Sequence, residues 1–153
     1  MTNQAGWSMA ELLVTVAMIG VLAVLGTPYV ISYLRAASLR AGAQELATII
    51  NGARQLAISR NANVCMRING TSAEYRTNVS ATCGGGTLYV GPMSSDTGVI
   101  TLQNEIDISG NTANVTFSNL GAALTAGTYT VRHPHTGNTL NVVVSAAGRV
   151  QIQ

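Results

Sequence analysis

The sequence predicts an α+β protein: a long N-terminal helix, with a membrane-spanning first half, packed on a small C-terminal antiparallel β domain. Three observations carry this. The stretch Leu12–Leu34 holds no charged residue. An apolar repeat at three-, four- and seven-residue steps continues beyond it to about Ser59. After residue 62 the pattern changes to short alternating runs separated by polar turns. The segments are 7–34 for the apolar helix, 35–60 for its amphipathic continuation and 61–153 for the β domain.

Composition agrees with that division. Only 9% of the 153 residues are charged and 47% are hydrophobic. That is poor in charge for a soluble protein, and too polar after Leu34 for several membrane spans. The basic residues are eight arginines, and the net charge of +2 is too small to argue for nucleic acid on its own.

The uncharged stretch, as a helix, extends roughly 35 Å at about 1.5 Å per residue. A bilayer core is about 30 Å thick, so the segment is long enough to cross it. A secretory signal fits less well, because its apolar part runs about 7–15 residues and ends at a small-x-small cut site. Gly20, Gly26 and Pro28 interrupt the stretch, and Pro28 is expected to break or kink the helix. Glu11 stands at its head. A carboxylate there suits the positive end of a helix dipole or the lipid headgroups; alternatively it has a partner.

The second half of the helix carries Leu39, Leu46, Ile50, Ala53 and Ala57 on one stripe, with Ile49 and Leu56 beside it. Gly42 and Gly52 weaken a helix by about 1 kcal/mol each relative to alanine, which points to close packing at both. Asn61 and Asn63 are suitable stop residues.

Strands are expected at 64–68, 73–77, 87–91, 98–102, 105–109, 114–118, 128–132, 139–145 and 148–153. Their spacing suggests a sandwich-like or barrel-like arrangement. The run HPHTGN reads as a hairpin connection. Cys65 and Cys83 are the two cysteines. In an extracytoplasmic domain they suggest one disulfide, worth about 3 kcal/mol for a loop of this length; two unpaired thiols are the alternative. A metal site lacks further ligands at suitable spacing.

His133 and His135 flank Pro134 and read as an exposed turn, since no acidic or cysteine partner is near in sequence. Glu74, Asp96, Glu105 and Asp107 form no evident acid pair. No nucleophile elbow or phosphate-binding glycine loop occurs, so neither an enzyme nor a cofactor is expected. Arg132, Arg149 and His133 would form one basic patch if their strands were neighbours, and arginines so placed can hold phosphates. Solvated arginines guarding a strand edge are the alternative.

The amino-terminal pattern is a short polar leader, MTNQAG, then Trp7, then Glu11 as the fifth residue from Trp7, then LLVTVAMIGVLAVLG and Pro28. This resembles the class III signal of type IV pilins and type II secretion pseudopilins. Trp7 stands where that family usually has Phe. The resemblance implies residues 1–6 as a prepilin leader, cleaved between Gly6 and Trp7 by a prepilin peptidase that then methylates Trp7. It also implies that Glu11 faces the amino terminus of a neighbouring subunit, where a cation makes a buried carboxylate tolerable.

ARQLAISRNANV, with Ala53, Arg54, Ala57, Arg60 and Val64, resembles the GspH/FimT type within that family. So do Phe117, Gly121, Gly127, Gly148 and Arg149. The implied function is a minor pilin in type IV pilus assembly. The alternatives are a minor pseudopilin of a type II secretion system, or a DNA-uptake pilin using Arg132 and Arg149. The latter pattern wants a basic residue where this chain has Gln151. The implied partners are the peptidase, other pilin or pseudopilin subunits, the inner membrane and, in the last reading, DNA. The implied location is a single-pass inner-membrane protein with a periplasmic β domain, later a pilus or pseudopilus.

Overall fold

The computed structural model describes residues 8–92, 94–104, 106–110 and 114–153. Helix α1 runs Met9–Arg60. Its start is marked by Ser8, whose Oγ accepts the Ala10 amide at 3.3 Å, and by Glu11 in the first turn. Its end is a Schellman motif. Asn61 adopts a left-handed φ of 49°, while the amides of Asn61 and Ala62 bond back to the carbonyls of Ile58 and Ala57. Pro28 lies inside the helix and does not break it. Its effect is narrower than expected: the ring's fixed φ suits a helix, and only one amide donor is lost.

The chain forms two compact units, Met1–Ala36 and Ala37–Gln153. In the first, none of the most apolar 18-residue window is buried within the chain, and its length and composition suffice to cross a membrane. In the second, the helix buries Leu39, Gly42, Ala43, Leu46, Ile49, Ile50, Ala53 and Ala57. That is the expected stripe. Both glycines are close-packing sites. A Cβ on Gly42 would strike the Ile106 side chain, and one on Gly52 would lie 2.7 Å from the Tyr75 hydroxyl.

Among the described residues ten strands follow: β1 Val64–Asn69, β2 Ser72–Thr77, β3 Thr87–Leu88, β4 Val99–Thr101, β5 Asp107–Gly110, β6 Asn114–Phe117, β7 Ala123–Thr125, β8 Gly127–Arg132, β9 Thr139–Val144 and β10 Val150–Ile152. They make two antiparallel sheets, not one barrel. The first has the order β3-β2-β1-β6-β7 with β4 also on β2, and the second the order β10-β9-β8-β5. Alternation gives each sheet one inward face. Val64, Met66, Tyr75, Val115 and Phe117 from the first sheet, and Tyr129, Val131, Val142 and Val144 from the second, join the helix stripe in one core.

Two differences from the sequence expectation have plain causes. The run 87–91 is cut to Thr87–Leu88 because Gly91 and Pro92 follow closely. Strand β7 was not expected, because Ala-Leu-Thr between glycines has little β signature; it pairs with β6 across an irregularity at Thr116/Phe117. The 105–109 expectation begins on Glu105, outside the described residues, and its remainder is β5.

Candidate functional site

Within the first unit the side chains from Leu12 to Leu34 are exposed or nearly so, including Leu22, Val24 and Leu25. Three of its hydroxyls bond to the helix backbone: Thr15 donates to the Leu12 carbonyl, Thr27 to Ala23 and Ser32 to Tyr29, all at 2.8–2.9 Å. Such back-bonding lets a polar side chain sit in an apolar medium. Glu11 is exposed in the first turn. Gly6 and Trp7 lie outside the described residues.

Within the second unit the matched helix-end and glycine residues converge on one clasp. Arg54 Nε donates to the Gly121 carbonyl at 3.0 Å, which ties the helix to the β6–β7 turn. Gly148, in the β9–β10 turn, sits against the same carbonyl with φ +78°, and a Cβ there would collide with it. Gly121 itself has φ +81° and leaves room for Ile58 and Arg54. Ala53, Ala57, Val64 and Phe117 are wholly buried in the main core. Arg60 stacks over the Tyr89 ring, 5.3 Å from its centroid. Sequence reading could match these positions but not see that three distant segments meet.

Tyr75 supplies a second tie. Its hydroxyl donates to the Ile49 carbonyl at 2.6 Å, and burial pushes its pKa from 10.0 up to about 12. Glu45 supplies a third, accepting from the Gln103 amide and from Asn104 Nδ2 at 2.8 Å.

Cys65 and Cys83 form a disulfide, with Cα atoms 5.5 Å apart. It pins the β2–β3 loop over the outer face of the first sheet, where Cys65, Cys83 and Val79 make a small buried cluster.

Two expectations about the basic and histidine residues are corrected. Arg132 pairs with Thr139 at one end of β9, whereas Arg149 lies opposite Ser145 beyond its other end. Six residues of strand, roughly 20 Å at about 3.3 Å each, separate them. They lie on one sheet but do not form the single patch that was expected. His133 is not exposed. Its relative exposure is 7%, and its Nδ1 accepts the His135 amide at 3.2 Å. Alternation at the end of β8 turns it inward. Among the described residues no group of three or more histidine, cysteine or acidic side chains could hold a metal ion.

Comparison with known proteins agrees with this architecture. The family model described as "Type II transport protein GspH" matches residues 42–148. Three similar solved structures are the type IV minor pilin FimU of Pseudomonas aeruginosa, the minor pseudopilin EpsH of the Vibrio cholerae type 2 secretion system, and Escherichia coli GspH. FimU is 18% identical at a TM-score of 0.57, covering 79% of this chain and 92% of its own. EpsH is 12% identical at 0.58, covering 76% and 96%. E. coli GspH is 13% identical at 0.59, covering 76% and 88%. At such identities the likeness speaks for the fold. A search of curated protein sequences found no match. With the family model spanning most of the chain, and the long helix packed on two antiparallel sheets that its solved neighbours share, the protein belongs to the GspH family of type II transport proteins.

Proposed function

We propose that this chain is a minor subunit of a type IV filament, made as an inner-membrane precursor and assembled into a type IV pilus. The observation that carries the reading is a single apolar helix. Its first half exposes an uncharged surface long enough to cross a bilayer, and its second half is the core of a GspH-family domain. Such a surface is stable in lipid, and again against other apolar helices, but not in water.

In this reading a prepilin peptidase cuts between Gly6 and Trp7 and methylates Trp7. The helix then leaves the bilayer for the filament core. Glu11 pairs with the amino terminus of a neighbour and sets the axial register, because a carboxylate in that apolar packing is tolerated only when paired. The role is structural, with no chemistry catalysed by the subunit. A second reading is the same part in a type II secretion pseudopilus, which the description of the matching family favours.

A strain lacking the gene, beside a complemented one, separates the two. Loss of surface pili restored by complementation supports the pilus. Normal piliation with exoproteins retained in the periplasm supports the pseudopilus. Neither defect would contradict both.

A further inference from the structure

The outer face of the first sheet carries a cavity of about 450 Å³. Its floor is a row of side chains crossing four strands. Val99 of β4 lies opposite Glu74 of β2, Glu74 opposite Arg67 of β1, and Arg67 opposite Asn114 of β6. One step along, Ser72 and Asn69 face each other beside the tight β1–β2 turn. All six line the cavity. Period-2 alternation places them on the face opposite Met66, Tyr75 and Val115, which point into the core.

The row is held in place from two sides. Arg67 Nη2 donates to the Cys83 carbonyl at 3.1 Å, so the disulfide loop braces the guanidinium from one side. Glu74 lies 3.9 Å from Arg67 Nη1 and 3.5 Å from Arg76 Nε. The Arg67 and Glu74 side chains remain 39% and 32% exposed. Arg67 Nε is buried and has no hydrogen-bond partner among the described residues, so the exposed part of the guanidinium is what a ligand can meet. Polar groups fixed on strands and braced by a disulfide lose little freedom on binding, which is what a recognition site needs.

The chemistry of the lining selects the ligand. Among the lining residues one guanidinium and one carboxylate balance, while Arg76 reaches Glu74 from outside the lining. Two carboxamides and a hydroxyl add both donors and acceptors, and Val99 adds an aliphatic patch. A strongly anionic ligand would meet Glu74, and a cation would meet Arg67. A neutral ligand with neighbouring hydroxyls, each donor and acceptor at once, satisfies all of these groups together. The volume lies within the range of about 300–1,000 Å³ common to small-molecule sites. We propose that this cavity is a binding site for a neutral saccharide of one or two rings. The proposal stands apart from the filament reading and does not depend on it.

The test uses the full chain in lauryldimethylamine oxide micelles, since sugar-headed detergents would compete. Saturation-transfer NMR is run with maltose, lactose and N,N′-diacetylchitobiose, and with N-acetylneuraminic acid as the anionic arm. Transfer to at least one neutral disaccharide is expected. Asn69→Ala with Asn114→Ala should weaken it about tenfold, the scale of one or two lost hydrogen bonds. These two positions leave the Arg67–Cys83 brace intact, and near-UV circular dichroism checks that the variant is folded. Absence of transfer to every sugar, transfer unchanged in the folded variant, or preference for the anionic sugar each overturns the proposal.

Discussion

Replacing Gly148 with alanine tests whether the Arg54–Gly121–Gly148 clasp holds the helix end to both sheets. Two effects add at this position. Alanine at φ +78° costs about 1–2 kcal/mol from left-handed backbone strain alone. Its Cβ would also collide with the Gly121 carbonyl, which is backbone and can shift only with its turn, and would stand 3.2 Å from Arg54 Nε. Relief requires that carbonyl to move off Arg54. The bond lost is donated by a charged group, worth about 1.5–3 kcal/mol. The expected destabilisation is about 2.5–5 kcal/mol. Gly137 is the control. It has φ +70°, but the nearest atom a Cβ would meet is Arg132 Nη2 at 3.8 Å. Gly137→Ala therefore carries only the strain, about 1–2 kcal/mol. Urea denaturation of the full chain in micelles, followed by near-UV circular dichroism of the buried Tyr75 and Tyr129, measures both. Equal losses for the two variants would refute the clasp.

The Tyr75 hydroxyl gives a pH prediction. Its folded pKa is raised to about 12 from 10.0, so its contribution is complete below pH 10 and is lost as pH climbs through 12, by about 2–3 kcal/mol. Urea midpoints should fall over that window in the parent and fall less in Tyr75→Phe; parallel declines would contradict the assignment. Gly52→Ala should destabilise by displacing the Tyr75 hydroxyl from Ile49, and combining it with Tyr75→Phe should recover part of the loss, as a double-mutant cycle would show. Converting both Cys65 and Cys83 to alanine should cost about 2–4 kcal/mol by freeing the β2–β3 loop, with an unchanged denaturation midpoint as the contrary result. Glu11→Ala should leave membrane insertion intact, read by carbonate extraction, yet sharply reduce recovery of the chain in filaments.

The helix and most strands were legible because burial imposes a period. The spacing of Leu39, Leu46, Ile50, Ala53 and Ala57 admits one buried face, and Val115/Phe117 and Tyr129/Val131 alternate as half-buried strands must. Gly42 and Gly52 were legible as close contacts because glycine weakens a helix interior and both lie in its amphipathic half. What stayed hidden depends on which strands pair and in what register. Arg132 and Arg149 look like companions in the sequence and are separated by the length of β9. The row Val99, Glu74, Arg67 and Asn114 is scattered over residues 67–114, and only pairing across four strands assembles it. His133 follows an exposed arginine and precedes a proline, so its local sequence read as a turn, while its place at the end of β8 turns it inward. Strand β7 lacked a local signal altogether.

On the proposed function this chain travels from the membrane into a filament. The most direct measurement is the amount of an epitope-tagged chain that co-purifies with filaments sheared from the cell surface, compared with membranes, and for wild type beside Glu11→Ala. A small but reproducible filament-bound fraction of the wild type is expected, lacking residues 1–6, and almost none of the variant despite normal membrane levels. A wild-type chain found only in membranes while filaments form without it, or a variant incorporated as well as the parent, would contradict it.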